Sequence, residues 1–195
     1  MLTRAIMMVL VIANALSSKA IGQCDDLRSA SVEQATSYIE HAPDDAASAK
    51  CVQIAFDVIG SLPTEQAVPV LLKYLGYKRP LNDGERHGFF MHGNGPETLY
   101  PAVHELFHLG SASEPGVIRF IGESKDASRT VLNNAIYALV LIHHGDGLAV
   151  VQELHSESGG AVDPDASKRL QSAAKDATKW CDERWKEKCA DALVN

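Results

Sequence analysis

Beyond residue 30, apolar residues recur at three- and four-residue intervals along almost the whole chain, the spacing that puts one stripe on a helix. In "SVEQATSYIEHA", Ser31 and Gln34 have the spacing of a capping box at a helix start. In "AASAKCVQIAFDVIGSL", Val52, Phe56 and Ile59 share a face, and "TEQAVPVLLKYLG" opens another helix at Thr64. The same spacing predicts helices over 97–109, 113–121, 128–143 and 148–154, and a long one over 163–181. No stretch alternates apolar and polar residues between turn residues, so no strand is predicted. The pattern is that of an all-α protein.

The start of the chain departs from this periodicity. "MLTR" is basic, "AIMMVLVIANAL" (residues 5–16) is continuously apolar, and "SSKAIGQ" is a small, polar exit with Ala20 or Gly22 at cleavable positions. Residues 1–22 therefore read as a secretory signal peptide and residues 23–195 as a single α-helical domain. The apolar run is shorter than the roughly 20 residues a membrane span needs, so no transmembrane segment is expected in the mature chain.

Export changes how the charges and cysteines are read. Of 18 basic side chains the leader removes Arg4 and Lys19, leaving 16 against 25 acidic ones, a net charge of −9. Such a surface repels phosphate backbones, which argues against a nucleic-acid partner. The four cysteines, Cys24, Cys51, Cys181 and Cys189, favour two disulfides in an oxidising compartment. Three pairings are possible. In one unbroken helix Cys181 and Cys189 would lie about 12 Å apart, too far to bond, but a helix break with Asp182 as N-cap would bring them together. Pairs at each end, Cys24 with Cys51 and Cys181 with Cys189, are favoured over an end-to-end clasp.

Two segments repeat in register. "PVLLKYLG" (residues 69–76) and "PGVIRFIG" (115–122) share proline, aliphatic, base, aromatic, aliphatic and glycine positions. Each follows a helix ending in an aliphatic residue and glycine, "AFDVIG" and "AVHELFHLG". A third unit, "NAIYALVLIHHG" with "LAVVQEL", keeps the paired outline without the proline. The leading alanines Ala55, Ala102 and Ala135 are 47 and 33 residues apart, within the range of paired-helix solenoids. In these features the chain resembles the HEAT-like α-helical repeats, and among them small exported bacterial proteins without known activity. The resemblance implies a right-handed α-solenoid of about three helix pairs, with "GYKRPLNDGERHGFFMHGNGP" as an inserted loop and a long C-terminal helix. It also implies a scaffold that binds a protein or cell-envelope partner, with no cofactor and no catalytic residue.

One motif points elsewhere. "HELFH" places His104 and His108 one helical turn apart with Glu105 between them, the H-E-x-x-H pattern of zinc hydrolases, in which the histidines hold the metal and the glutamate activates water. With Leu106 at the centre of the buried stripe, Ala102, Val103 and Leu109 fall within about 60° of it, while His104 and His108 point about 160° away. That face, Glu105 included, is expected to be solvated. A third ligand is not evident: Ser111 and Glu114 stand where the longer motif has glycine and histidine, and Glu123 and Glu153 lie in no recognisable motif. Catalytic zinc on His104 and His108 with Glu105 as base is the alternative to the scaffold.

The remaining candidates cluster in the insertion. Lys78, Arg79, His87, Phe89, Phe90, Met91 and His92 bring charge, aromatic area and imidazoles into one segment that a simple helix-pair stack does not require, so this is the expected binding surface. His143 and His144, before Gly145, suit a helix end.

Overall fold

The computed structural model describes residues 24–88, 95–124 and 126–143, with the backbone alone at 86–88 and 143, and residues 172, 175, 176, 179 and 183 of the C-terminal segment. Among the described residues every regular element is a helix, as the periodicity predicts. Residues 1–22, expected as a leader, the helix expected over 148–154, most of the one expected over 163–181, and Cys181 and Cys189 lie outside them.

A 3-10 turn, Cys24–Ser29, leads into α1 (Val32–His41), followed by α2 (Ser48–Gly60) and α3 (Thr64–Lys73). The expected capping box is present: the Ser31 hydroxyl accepts from Gln34 N–H at 3.3 Å, and Gln34 Oε1 accepts from Ser31 N–H at 2.9 Å. Cys24 and Cys51 stand at disulfide distance, with Cα atoms 4.9 Å apart, tying the entry turn to α2.

The insertion is not all loop. It carries a short helix, α4 (Asp83–Gly88), started by a second capping box in which Asn82 Oδ1 accepts from Glu85 N–H at 2.8 Å and Glu85 Oε2 accepts from Asn82 N–H at 3.0 Å.

The helix expected over 97–109 is two helices, α5 (Pro96–Leu99) and α6 (Pro101–Leu109). The Pro101 ring crowds the α conformation of its predecessor, and Tyr100 is extended at φ −117°, ψ 90°. Helix α6 ends at Gly110, whose φ of 60° few other residues tolerate. The Ser113 hydroxyl hydrogen-bonds Leu106 O at 2.9 Å and Gly110 O at 2.8 Å there. Helices α7 (Glu114–Glu123) and α8 (Arg129–His143) follow. Arg129 pairs with Asp176 at 2.5 Å, which brings the C-terminal segment to the start of α8.

Helix α6 packs against α2, α3 and α8, while α7 packs on α3 and α8. Of the stripe expected on α6, Ala102, Val103 and Leu106 are fully buried beside Phe56, Ile59, Leu71, Ile136 and Leu139, and Leu109 is partly buried against this core. Gly116 lets α7 approach α3 closely, since a Cβ there would stand 2.5 Å from Val68 Cγ1. No helix among the described residues is long and apolar enough to cross a membrane.

Candidate functional site

Two places in the fold bear on function, the HELFH turn of α6 and a cleft beside the insertion. On α6, His104 and His108 share the outer face as their spacing predicts, with ring centroids 4.3 Å apart and planes at 68°. Phe107, next to them, is 38% exposed, and its ring lies 5.7 Å from that of His108.

Glu105 does not share that solvated face. Its side chain turns inward against α2 and is 9% exposed, which corrects the expectation of a solvated glutamate. Gly60 makes the room: a Cβ at that position would fall on Glu105 Oε2 and stand 2.9 Å from its Cδ. Asp57, one turn earlier on α2 and held by Gln53 Nε2 at 2.9 Å, is near enough for its charge to act on the same carboxyl.

The electrostatics follow from burial. Loss of water pushes the Glu105 carboxyl up to about 7, and repulsion from Asp57 adds to the shift. His104 moves the opposite way, because burial and then the neighbouring His108 disfavour its cation, with Asp57 and Glu97 partly offsetting them. His104 Nε2 lies 4.0 Å from Glu105 Oε1, beyond hydrogen-bond range. At neutral pH the pair is an uncharged imidazole beside a carboxyl that is about half protonated.

A carboxyl titrating near 7 is suited to proton transfer. It needs access to a substrate as well, and Glu105 is covered by Gly60 of α2. Among the described residues no three His, Cys, Asp or Glu side chains converge on a metal position.

The fit of Glu105 over Gly60 gives the first expected outcome. Gly60→Ala should destabilise the fold by about 1–3 kcal/mol by driving Glu105 out of its seat. On a Glu105→Ala background the same change should be neutral or slightly stabilising, because the obstruction is gone and alanine is the better helix former. Denaturant melts of the four proteins in a double-mutant cycle would measure the coupling. Equal losses on both backgrounds would show that Gly60 is needed for another reason.

The cleft lies apart from this turn. It encloses about 500 Å³ and is lined by Ala42 and Asp44 from the α1–α2 connection and by Tyr77, Lys78, Arg79, Pro80 and Leu81 from the start of the insertion. Tyr77, one of the lining residues, belongs to an aromatic cluster. The rings of Phe56 and Tyr77 are 5.7 Å apart, those of Phe56 and Tyr74 6.0 Å, and Tyr74 donates to Glu40 at 2.8 Å. Burial, then the Glu40 hydrogen bond, pushes the Tyr74 hydroxyl up to about 12. Tyr77 is also raised, by burial and then by Tyr38 and Asp44.

Of the residues expected to form the binding surface, Lys78 is exposed at this cleft. Arg79 lines it too, but its guanidinium is committed inside the fold. Nη1 and Nη2 donate to the two Glu85 oxygens at 2.9 and 2.7 Å, Nε donates to Thr98 O at 2.7 Å, and the side chain is only 10% exposed. The bidentate pair holds Glu85 below the usual carboxylate range. Arg79 is thus a brace between α4 and α5. The side chain of His87 and the whole of Phe89, Phe90, Met91 and His92 lie outside the described residues.

Nothing in the sequence singles out Asp44 or Gly60 at either place, and Tyr77 is marked there only as the start of the insertion. Asn82-Asp83-Gly84-Glu85 carried a local capping signal for α4, but nothing local marks Gly60 as the partner of Glu105. No protein-family model, curated protein or solved structure matches the chain.

Proposed function

We propose that the chain is an exported helical-repeat scaffold that binds a protein or cell-envelope partner through the cleft between residues 42–44 and 77–81. The observation that carries the reading is this cleft, built by the segment that interrupts the repeat and lined by exposed Lys78 and Asp44 beside Tyr77. Loops braced by a rigid helical body are where binding surfaces commonly form.

The repeat half of the proposal draws support from burial. Ala55, Phe56 and Ile59 on α2, Ala102, Val103 and Leu106 on α6, and Ala135, Ile136 and Leu139 on α8 occupy the same relative positions and are all fully buried. Leu71 and Leu75 correspond likewise to Val117 and Ile121, all buried. Packing of α2 on α6, of α6 on α8 and of α3 on α7 is the neighbour relation a helix-pair stack would make. The prolines fit less well, since Pro69 is interior to α3 while Pro115 is in the first turn of α7.

The zinc-hydrolase alternative is supported by the poised Glu105 carboxyl. The scaffold reading is preferred because that carboxyl packs on Gly60 and none of the HELFH side chains lines the cleft.

The test is charge reversal at the rim. Lys78→Glu and Asp44→Lys should leave thermal stability within about 0.5 kcal/mol, as exposed substitutions do, and should sharply reduce recovery of envelope proteins by the immobilised chain. Undiminished recovery by both stably folded variants would remove the cleft as the binding surface.

A further inference from the structure

We infer that His104 and His108 form a two-imidazole chelate for a late divalent transition-metal ion on the outer face of α6, with Cu2+ held most tightly. This inference is independent of the scaffold reading, and it assigns no hydrolysis to the site.

Geometry is the first support. The two rings project from successive turns of one helix and lie 4.3 Å apart. Two imidazoles sharing an ion at about 2 Å from each donor nitrogen have their rings comparably close, so modest ring rotations complete the chelate without moving the backbone. The helix under them is well fixed, packed through Ala102, Val103 and Leu106, so the pair is preorganised.

Availability is the second. Neither imidazole makes a ring-nitrogen hydrogen bond among the described residues. His108 is exposed and the His104 side chain is 37% exposed, so an ion can reach both. His41 is a useful contrast, because its Nδ1 already bonds Ser37 O at 2.8 Å.

The third is charge. Against the burial and His108 repulsion that disfavour a charge on His104, Asp57 on α2 and Glu97 on α5 favour one, Glu105 Oε1 lies 4.0 Å from His104 Nε2, and the chain carries a net charge of −7. A cation brought to the pair therefore enters a negative field. No third His, Cys, Asp or Glu completes a closed set among the described residues, so water fills the remaining positions. An open, nitrogen-donor site of this kind takes Cu2+ above Ni2+ and Zn2+ by the intrinsic order of affinities.

The experiment is a Cu2+ titration of the tag-free chain against a glycine competitor, followed by electron paramagnetic resonance. The native chain should bind one equivalent at a centre showing coupling to two imidazole nitrogens. His108→Ala and His104→Ala should each weaken binding at least about tenfold, whereas His41→Ala should not change it. Because His108 is exposed, its alanine variant retains the fold, and circular dichroism confirms this before titration. Ni2+ should also raise the melting temperature of the native chain and not that of His108→Ala, since only the folded helix holds the two rings together. Native-like affinity in folded His108→Ala, or failure of the native chain to bind Cu2+ stoichiometrically, would overturn the inference.

Discussion

Leu106→Asp is expected to unfold the helical body at neutral pH, with a loss above about 4 kcal/mol, while His108→Ala two positions away should cost less than about 0.5 kcal/mol. Leu106 is fully buried on α6, which packs against α2, α3 and α8. A carboxylate there would lose its water with no partner to compensate, and the leucine contacts would be lost as well. His108 is on the opposite, exposed side of the same helix, where truncation removes only ring contacts with His104 and the exposed Phe107. Urea melts of the two variants would read the difference directly. Comparable losses in both would mean that α6 faces the core through its histidines.

That contrast was legible from periodicity alone. Angles about the helix axis put Leu106 at the centre of the stripe and the histidines opposite, and both placements hold. Glu105 is different because it lies about 100° from Leu106, at the edge of the stripe, where the angle decides nothing. Whether such a residue faces water depends on what the neighbouring helix puts beside it. Here that neighbour is Gly60, 45 residues earlier, whose missing side chain leaves a seat for a carboxyl. A short-range pattern cannot carry information that belongs to the contact between two helices.

Local signals fared better wherever they were complete. Ser31 and Gln34 were readable as a cap because both partners lie within one turn, and they make the expected hydrogen bonds. The break at Tyr100 is equally local: a residue before proline resists the helical conformation and Pro101 suits a first helical turn, although the apolar spacing runs on through 97–109 as if the helix were continuous. Helix α4 was hidden for another reason. Asp83-Gly84-Glu85-Arg86-His87-Gly88 has no apolar stripe and two glycines, and it is anchored by the Asn82–Glu85 cap and the Arg79–Glu85 pair. Lys78 and Arg79 looked alike in sequence and differ in the fold. Only Arg79 has a carboxylate positioned to receive its planar fork, and that leaves Lys78 as the exposed charge at the cleft.

Glu105→Gln should make the protein more stable at pH 8 and nearly unchanged at pH 4.5, measured by denaturant melts across that range in the presence of a chelator. The folded state holds the Glu105 proton up to about pH 7, whereas an unfolded glutamate releases it near 4.5. Between these values the native state binds more protons than the unfolded one, so stability contributed by this group is complete below about pH 4.5 and is lost as pH rises through 7. The full loss is on the order of 3 kcal/mol, and it is an upper bound because the carboxylate can rotate toward water once charged. Glutamine fits the same space over Gly60 and never ionises, so its variant should lack this decline. His104 tilts the profile the other way: burial and His108 lower its proton affinity, so its contribution is present above pH 6.5 and falls away as the pH drops below that value. The native protein should therefore show two opposed slopes, and the glutamine variant only the acidic one. If both proteins instead lose stability equally between pH 6 and 8, the carboxyl of Glu105 is already ionised in the folded state and its seat against Gly60 must be hydrated.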